Sequence, residues 1–114
     1  MMAKLLNKTR NLVVVSKLEV ADSLLSRLVG LINHKEIKDE GLWIKSCNSV
    51  HTFFMKFPID LAFVDSNLCV KGIRIHVKPW RMVLPVLGAN SVFELPAGTL
   101  NGSNLKIGDT LDVS

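Results

Sequence analysis

Residues 47–60 read Cys-Asn-Ser-Val-His-Thr-Phe-Phe-Met-Lys-Phe-Pro-Ile-Asp, which sets a thiol, an imidazole and a carboxylate in one otherwise apolar run. Cys47 and His51 are the residue types of a nucleophile and its base, or of two metal ligands. Their spacing works against both uses. In an extended chain their Cα atoms stand roughly 13 Å apart, at about 3.3 Å per residue. A helical turn would bring them to about 6 Å, but Val50, Thr52, Phe53 and Phe54 favour extended backbone. Only a kink at Asn48-Ser49 would join them. His34, His76 and Cys69 add no zinc-type ligand pair, so neither a metal nor a cofactor is expected. Cys47 and Cys69 read as small core residues. His51 remains the residue to test, its structural alternative being a hydrogen-bonded core histidine.

Two further sets bear on chemistry. Asp60, Glu94 and Asp109 each stand at a strand end or turn. His51 as a base, oriented by Asp60 or Glu94, would give a small hydrolase or transferase. The structural alternative is that such acids accept backbone N–H bonds at bends. The other set is basic: over residues 70–78, alternation places Ile73, Ile75 and Val77 on one face and Arg74, His76 and Lys78 on the other. Trp80 and Arg81 continue the basic face. Together with His51 they form a candidate anion-binding groove, His51, Arg74, His76, Trp80 and Arg81, whose structural alternative is a solvated strand face.

The elements that must position these residues are mostly strands. Residues 11–16, 41–45, 49–55, 59–64, 68–78, 92–95 and 110–113 are rich in β-branched and aromatic types and are separated by turn residues. Asp65-Ser66-Asn67 suits a hairpin between 59–64 and 68–75, with Asn67 tolerating the positive φ of a tight turn. Pro79, Pro85 and Pro96 mark edges or bends, and 84–90 reads as a covering loop. The one helical pattern is early: Asp22 or Ser23 caps a stripe of Leu24, Leu25, Leu28, Val29 and Ile32. The expected fold class is therefore α+β, a small curled antiparallel or mixed sheet or partial barrel with one helix in the amino-terminal half.

Composition sets the bounds. The 114 residues, 48% hydrophobic and 21% charged, predict one globular domain over 1–114. The longest apolar run near the start, Leu12-Val13-Val14-Val15, is too short for a signal-peptide core, and nothing approaches a membrane span. A cytoplasmic, reduced protein with no membrane partner is expected. The formal net charge of +4 favours anionic partners without requiring them.

Arg27-Leu28-Val29-Gly30-Leu31, Gly41-Leu42-Trp43-Ile44, the Phe-Met-x-x-Pro-x-Asp run ending at Asp60, Phe93-Glu94-Leu95-Pro96-Ala97-Gly98 and Ile107-Gly108-Asp109 together resemble the prokaryotic family called domain of unknown function 192. The resemblance covers about 21–113. It implies a small β-rich domain with a helix near its start and brings no reaction or cofactor. Met55, Pro58, Asp60, Glu94, Pro96, Gly98, Gly108 and Asp109 are the motif residues it carries over. Many members of that family look exported, so the cytoplasmic expectation rests on this sequence alone.

The leading functional expectation is thus a non-enzymatic ligand-binding or accessory domain that takes a small anionic ligand or a protein partner through the basic groove. The alternatives are the His51 hydrolase or transferase and a weak nucleic-acid-binding module resting on the basic stripe.

Overall fold

A computed structural model describes residues 3–21, 39–45, 48–52, 56–102 and 104–114, without the side chains of Ala21 and His51. Among the described residues nine strands form: β1 (Ala3–Asn7), β2 (Leu12–Ala21), β3 (Glu40–Lys45), β4 (Val50–His51), β5 (Ile59–Val64), β6 (Val70–Val77), β7 (Met82–Val83), β8 (Ser91–Pro96) and β9 (Leu111–Val113). Seven build one sheet in the order β6-β5-β8-β3-β2-β1-β9, and β4 pairs with β7 as a separate ribbon. β2 and β3 run parallel; the other neighbours in the large sheet are antiparallel.

The expected α+β class is corrected by this architecture. Among the described residues every regular element is a strand, and the fold is all-β. The expectation placed one helix on the stripe from Leu24 to Ile32. That stripe lies outside the described residues, whose own buried apolar side chains come from strands and loops.

The sheet curls until its two ends meet. Val70 N–H donates to the Asp109 carbonyl at 2.9 Å, Gly108 N–H to the Val70 carbonyl at 2.9 Å, and Leu111 N–H to the Leu68 carbonyl at 2.9 Å. A bridge between Cys69 and Thr110 completes the contact. β6 is thereby joined to the approach to β9 at one end only, which makes a half-closed barrel. β1 lies against β9, with Lys4 and Ser114 exchanging backbone hydrogen bonds of 2.9 and 3.0 Å.

Each face of the central strands carries its own core. Inside the curl, Leu5, Val15, Leu18, Ala62, Val64, Val70, Phe93 and Leu95 pack with Leu100 and Leu105 from the loop after β8. Outside, Ile59, Leu61, Phe63, Leu42, Ile44 and Val92 are covered by Val50, Val83 and Val86. The period-two alternation of a strand explains how β5 serves both cores, and all six of its residues are buried. Phe63 and Phe93 are fully buried, each contributing on the order of 1.5–3 kcal/mol through removal from water. β3 approaches the interior closely enough that a Cβ at Gly41 would stand 2.9 Å from Leu95 Cδ2.

The β5–β6 hairpin forms where the sequence puts it, but its special backbone position lies one residue later than expected. Leu68 N–H donates to the Asp65 carbonyl at 3.0 Å, and Leu68 itself takes φ 60°. This is a four-residue turn whose last residue is left-handed and starts a bulge. Asp65 Oδ1 accepts from Asn67 N–H at 2.9 Å and Cys69 N–H at 3.0 Å, which holds the turn.

Candidate functional site

The candidate groove is organised by a residue the sequence reading passed over. Thr52 is fully buried beside His51. Its N–H donates to the Arg81 carbonyl at 2.8 Å, and its carbonyl accepts from Trp80 N–H at 3.0 Å. Its hydroxyl donates to the Lys78 carbonyl at 2.7 Å and accepts from Arg81 N–H at 2.8 Å. Four bonds from one residue therefore fix the turn 78–81, in which Trp80 holds φ 64°. The available signal was a lone hydroxyl in an apolar strand facing a turn that contains Pro79. His51 then pairs with Met82 and Val50 with Val83, so the backbone of His51 adjoins the same turn. The His51 side chain lies outside the described residues, as do Cys47, His34 and Met55.

The expected alternation on β6 holds only in part. Leu61 pairs with Arg74 but Ile59 with Val77, so Asp60 faces the two residues Ile75 and His76 across a bulge. His76 takes φ 50°, and its N–H donates to Asp60 Oδ1 at 2.7 Å. The extra residue breaks the two-residue period: Ile75, expected in the core, is 57% exposed. Arg74, His76, Lys78 and Arg81 are exposed, and Trp80 is 58% exposed. Arg74 donates from Nη1 to the adjoining Ile73 carbonyl at 2.9 Å. The ion pairs found among the described residues, Arg10 with Asp109 and Lys71 with Asp65, involve none of these cations.

The acids are not brought together. Asp60 is fully buried, with its second oxygen accepting from Leu100 N–H at 2.9 Å. It ties the β6 bulge to the loop that fills the barrel interior, the structural use weighed for such an acid. Glu94 stands opposite Leu42 and Leu61 and is 1% exposed. By alternation Asp60 points with Ala62 and Val64 into the curl, whereas Glu94 points with Val92 to the outer core. A sheet thickness separates them. Glu94 shares the layer on which the β4–β7 ribbon sits, so of the two acids it is the one on the side of His51.

Asp109 has a structural account too. Its carboxylate accepts from Asn7 Nδ2 at 2.9 Å, Arg10 Nε at 2.6 Å and Lys106 N–H at 3.0 Å. Burial raises its pKa, but the hydrogen bonds from Arg10, Asn7 and Lys106, with the Arg10 charge, outweigh this and hold it below the ordinary value. No group of three His, Cys, Asp or Glu side chains among the described residues is placed to hold a metal ion, and these residues include no helix long and apolar enough to cross a membrane.

Residues 5–113 match the family model DUF192, described as Uncharacterized ACR. The match takes in the last three residues of β1 and all of β2 as well as the motifs from Arg27 onward. A UPF0127 protein of Thermococcus sibiricus is 32% identical over 113 residues, covering 95% of this chain and 73% of the relative. A UPF0127 protein of Pyrococcus horikoshii is 31% identical over 111 residues, covering 94% and 96%. Among solved structures, a candidate transcription regulator of Sinorhizobium meliloti superposes with TM-score 0.77 at 20% identity, covering 98% of this chain and 92% of that one. A protein of unknown function from Novosphingobium aromaticivorans gives 0.75 at 19%, covering 98% and 84%. At these identities the two structures establish a shared fold.

Proposed function

The chain belongs to the DUF192 family, whose function is uncharacterised, and from that premise we propose that it is a small binding or accessory domain whose rim at 74–81 takes an anionic ligand or the acidic segment of a partner. The observation that carries this reading is a run of exposed cations, Arg74, Lys78 and Arg81, beside His76 and Trp80, with no ion pair among the described residues. Its backbone is held by Thr52 and Asp60. A fixed cationic edge beside an exposed indole suits a phosphate, a sulfate or a carboxylate.

An Arg74→Ala, Arg81→Ala double variant should lose about tenfold in affinity for heparin at low salt, and the loss should shrink as salt rises. A Lys4→Ala, Lys8→Ala variant removes the same charge elsewhere and should bind nearly as the parent does. Equal binding by all three proteins would refute the rim. The same variants tested on DNA and RNA address the nucleic-acid alternative, whose retention must fall steeply with salt.

One observation favours a second, narrower reading: Glu94 lies on the side of the sheet that carries the His51 ribbon. A hydrolase or transferase would then use His51 with Glu94, because Asp60 is committed to two backbone donors. Turnover of acetyl or phosphoryl nitrophenyl esters that survives His51→Asn would end that reading.

We propose a cytoplasmic setting, in which Cys69, with its sulfur 3.7 Å from the Gly108 carbonyl, stays a free thiol. Cell fractionation that finds the protein outside the cytoplasm would overturn it.

A further inference from the structure

A cavity of about 410 Å³ opens at the end of the barrel away from Asp60, where β3 and β5 finish and β8 begins; Trp43, Lys45, Asp65, Ser66, Leu68, Asn90 and Ser91 line it. Its size falls within the range of small-molecule sites. The indole of Trp43 forms the wall. One face stacks on Phe93 with ring centroids 5.3 Å apart and planes 17° apart. Lys45 Nζ stands 4.8 Å from the ring centroid. Trp43 Nε1 is buried and has no hydrogen-bond partner among the described residues, a cost that a native protein rarely carries without a use for it.

The lining is unbalanced in donors and acceptors. Lys45 is the one cation of the lining, and the Asn90 amide and the hydroxyls of Ser66 and Ser91 add donors and neutral acceptors. The one carboxylate among the lining residues, Asp65, is already engaged. Its Oδ1 takes the N–H groups of Asn67 and Cys69, and its Oδ2 faces Lys71 Nζ at 3.6 Å. What the cavity lacks is an acceptor-rich, negatively charged group, with an apolar portion to lie along Trp43 and Leu68.

We propose that this mouth is a binding site for a small organic carboxylate with an apolar body, whose carboxylate meets Lys45 and whose body rests on Trp43 and Leu68. The site lies at the opposite end of β5 from the cationic rim and does not depend on it.

The chain has two tryptophans, so nitrogen-labelled protein gives two indole N–H resonances, assigned with Trp80→Phe. Hexanoate should move the Trp43 resonance saturably and leave that of Trp80 in place. Hexanamide, of the same shape without the charge, should bind about tenfold more weakly. Lys45→Gln should weaken hexanoate to a similar degree, and Asn90→Asp, which puts a negative charge on the same wall, should do so in a separately folded variant. The Arg74→Ala, Arg81→Ala variant should bind hexanoate as the parent does, which separates this site from the rim. A Trp43 resonance that hexanoate leaves in place, or that hexanoate and hexanamide move at equal concentrations, overturns the proposal.

Discussion

At the Val70 end of β6, charge is spent on backbone. Asp65 closes the hairpin, and Asp109 gathers Asn7, Arg10 and Lys106 where the barrel meets itself. At the Val77 end of the same strand, one buried acid, Asp60, fixes a bulge, while Arg74, His76, Lys78 and Arg81 stand in solvent. The strand thus divides its polar residues by position. Those at the closed end hold the fold, and those at the open end are positioned by the fold without contributing ion pairs to it. Substitutions at the two ends should therefore separate stability from binding.

The hardest test of that division is Asp60→Ala, because it strips the bulge at the open end of its buried acid. Two N–H groups, the part-buried one of His76 and the buried one of Leu100, lose their acceptor, and urea denaturation should register about 3 kcal/mol of destabilisation. A loss below about 1 kcal/mol would mean that the bulge holds without its acid.

Asp109→Asn should cost on the order of 2 kcal/mol at neutral pH, since charge-assisted hydrogen bonds from Arg10 and Asn7 are weakened. The folded-state pKa of Asp109 lies below its ordinary value of 3.8. Its contribution is therefore complete above that value and is lost as pH falls through the lower folded-state pKa. Denaturation midpoints measured from pH 7 downward should fall more steeply in the parent than in the variant. Parallel curves would remove Asp109 from the account of the closed end.

Thr52→Val preserves shape while removing the hydroxyl, and should cost about 1–2 kcal/mol. It should also speed amide exchange at Arg81, and a loss of heparin affinity without change at Arg74 would sharpen the rim's dependence on this turn. Lys71→Ala breaks an exposed 3.6 Å pair with Asp65 and should leave the denaturation midpoint unchanged, as exposed pairs generally do.

Local chemistry made the β5–β6 hairpin, the short strands and the curl legible in the sequence. Asp65-Ser66-Asn67 is turn chemistry, and alternation in residues 59–64 places Leu61 and Ala62 on opposite faces. What escaped notice depends on partners distant in sequence. Asn67 was the natural residue for positive φ, but Leu68 carries it, held by the bond from Leu111 N–H across the barrel seam. Ile75 belongs to the core by period, yet a bulge answering Asp60 moves it out. β1 carries no turn or motif of its own and forms because β2 and β9 flank it. Of the candidate site, the exposed basic residues were readable from alternation. The separation of Asp60 from Glu94 was not, because the register that sets their faces is a property of three paired strands.

The pairing of β1 with β9 carries a consequence for how the protein is made. Residues 3–7 leave the ribosome before their outer neighbour, residues 111–113, which is synthesised about a hundred residues later. Through that interval β1 can pair with β2, but its other edge has unpaired N–H and C=O groups, the kind of template that recruits strands from other chains. Crowded translation of this message should therefore favour intermolecular pairing through β1, and slowing synthesis near residue 110 should lengthen the exposure.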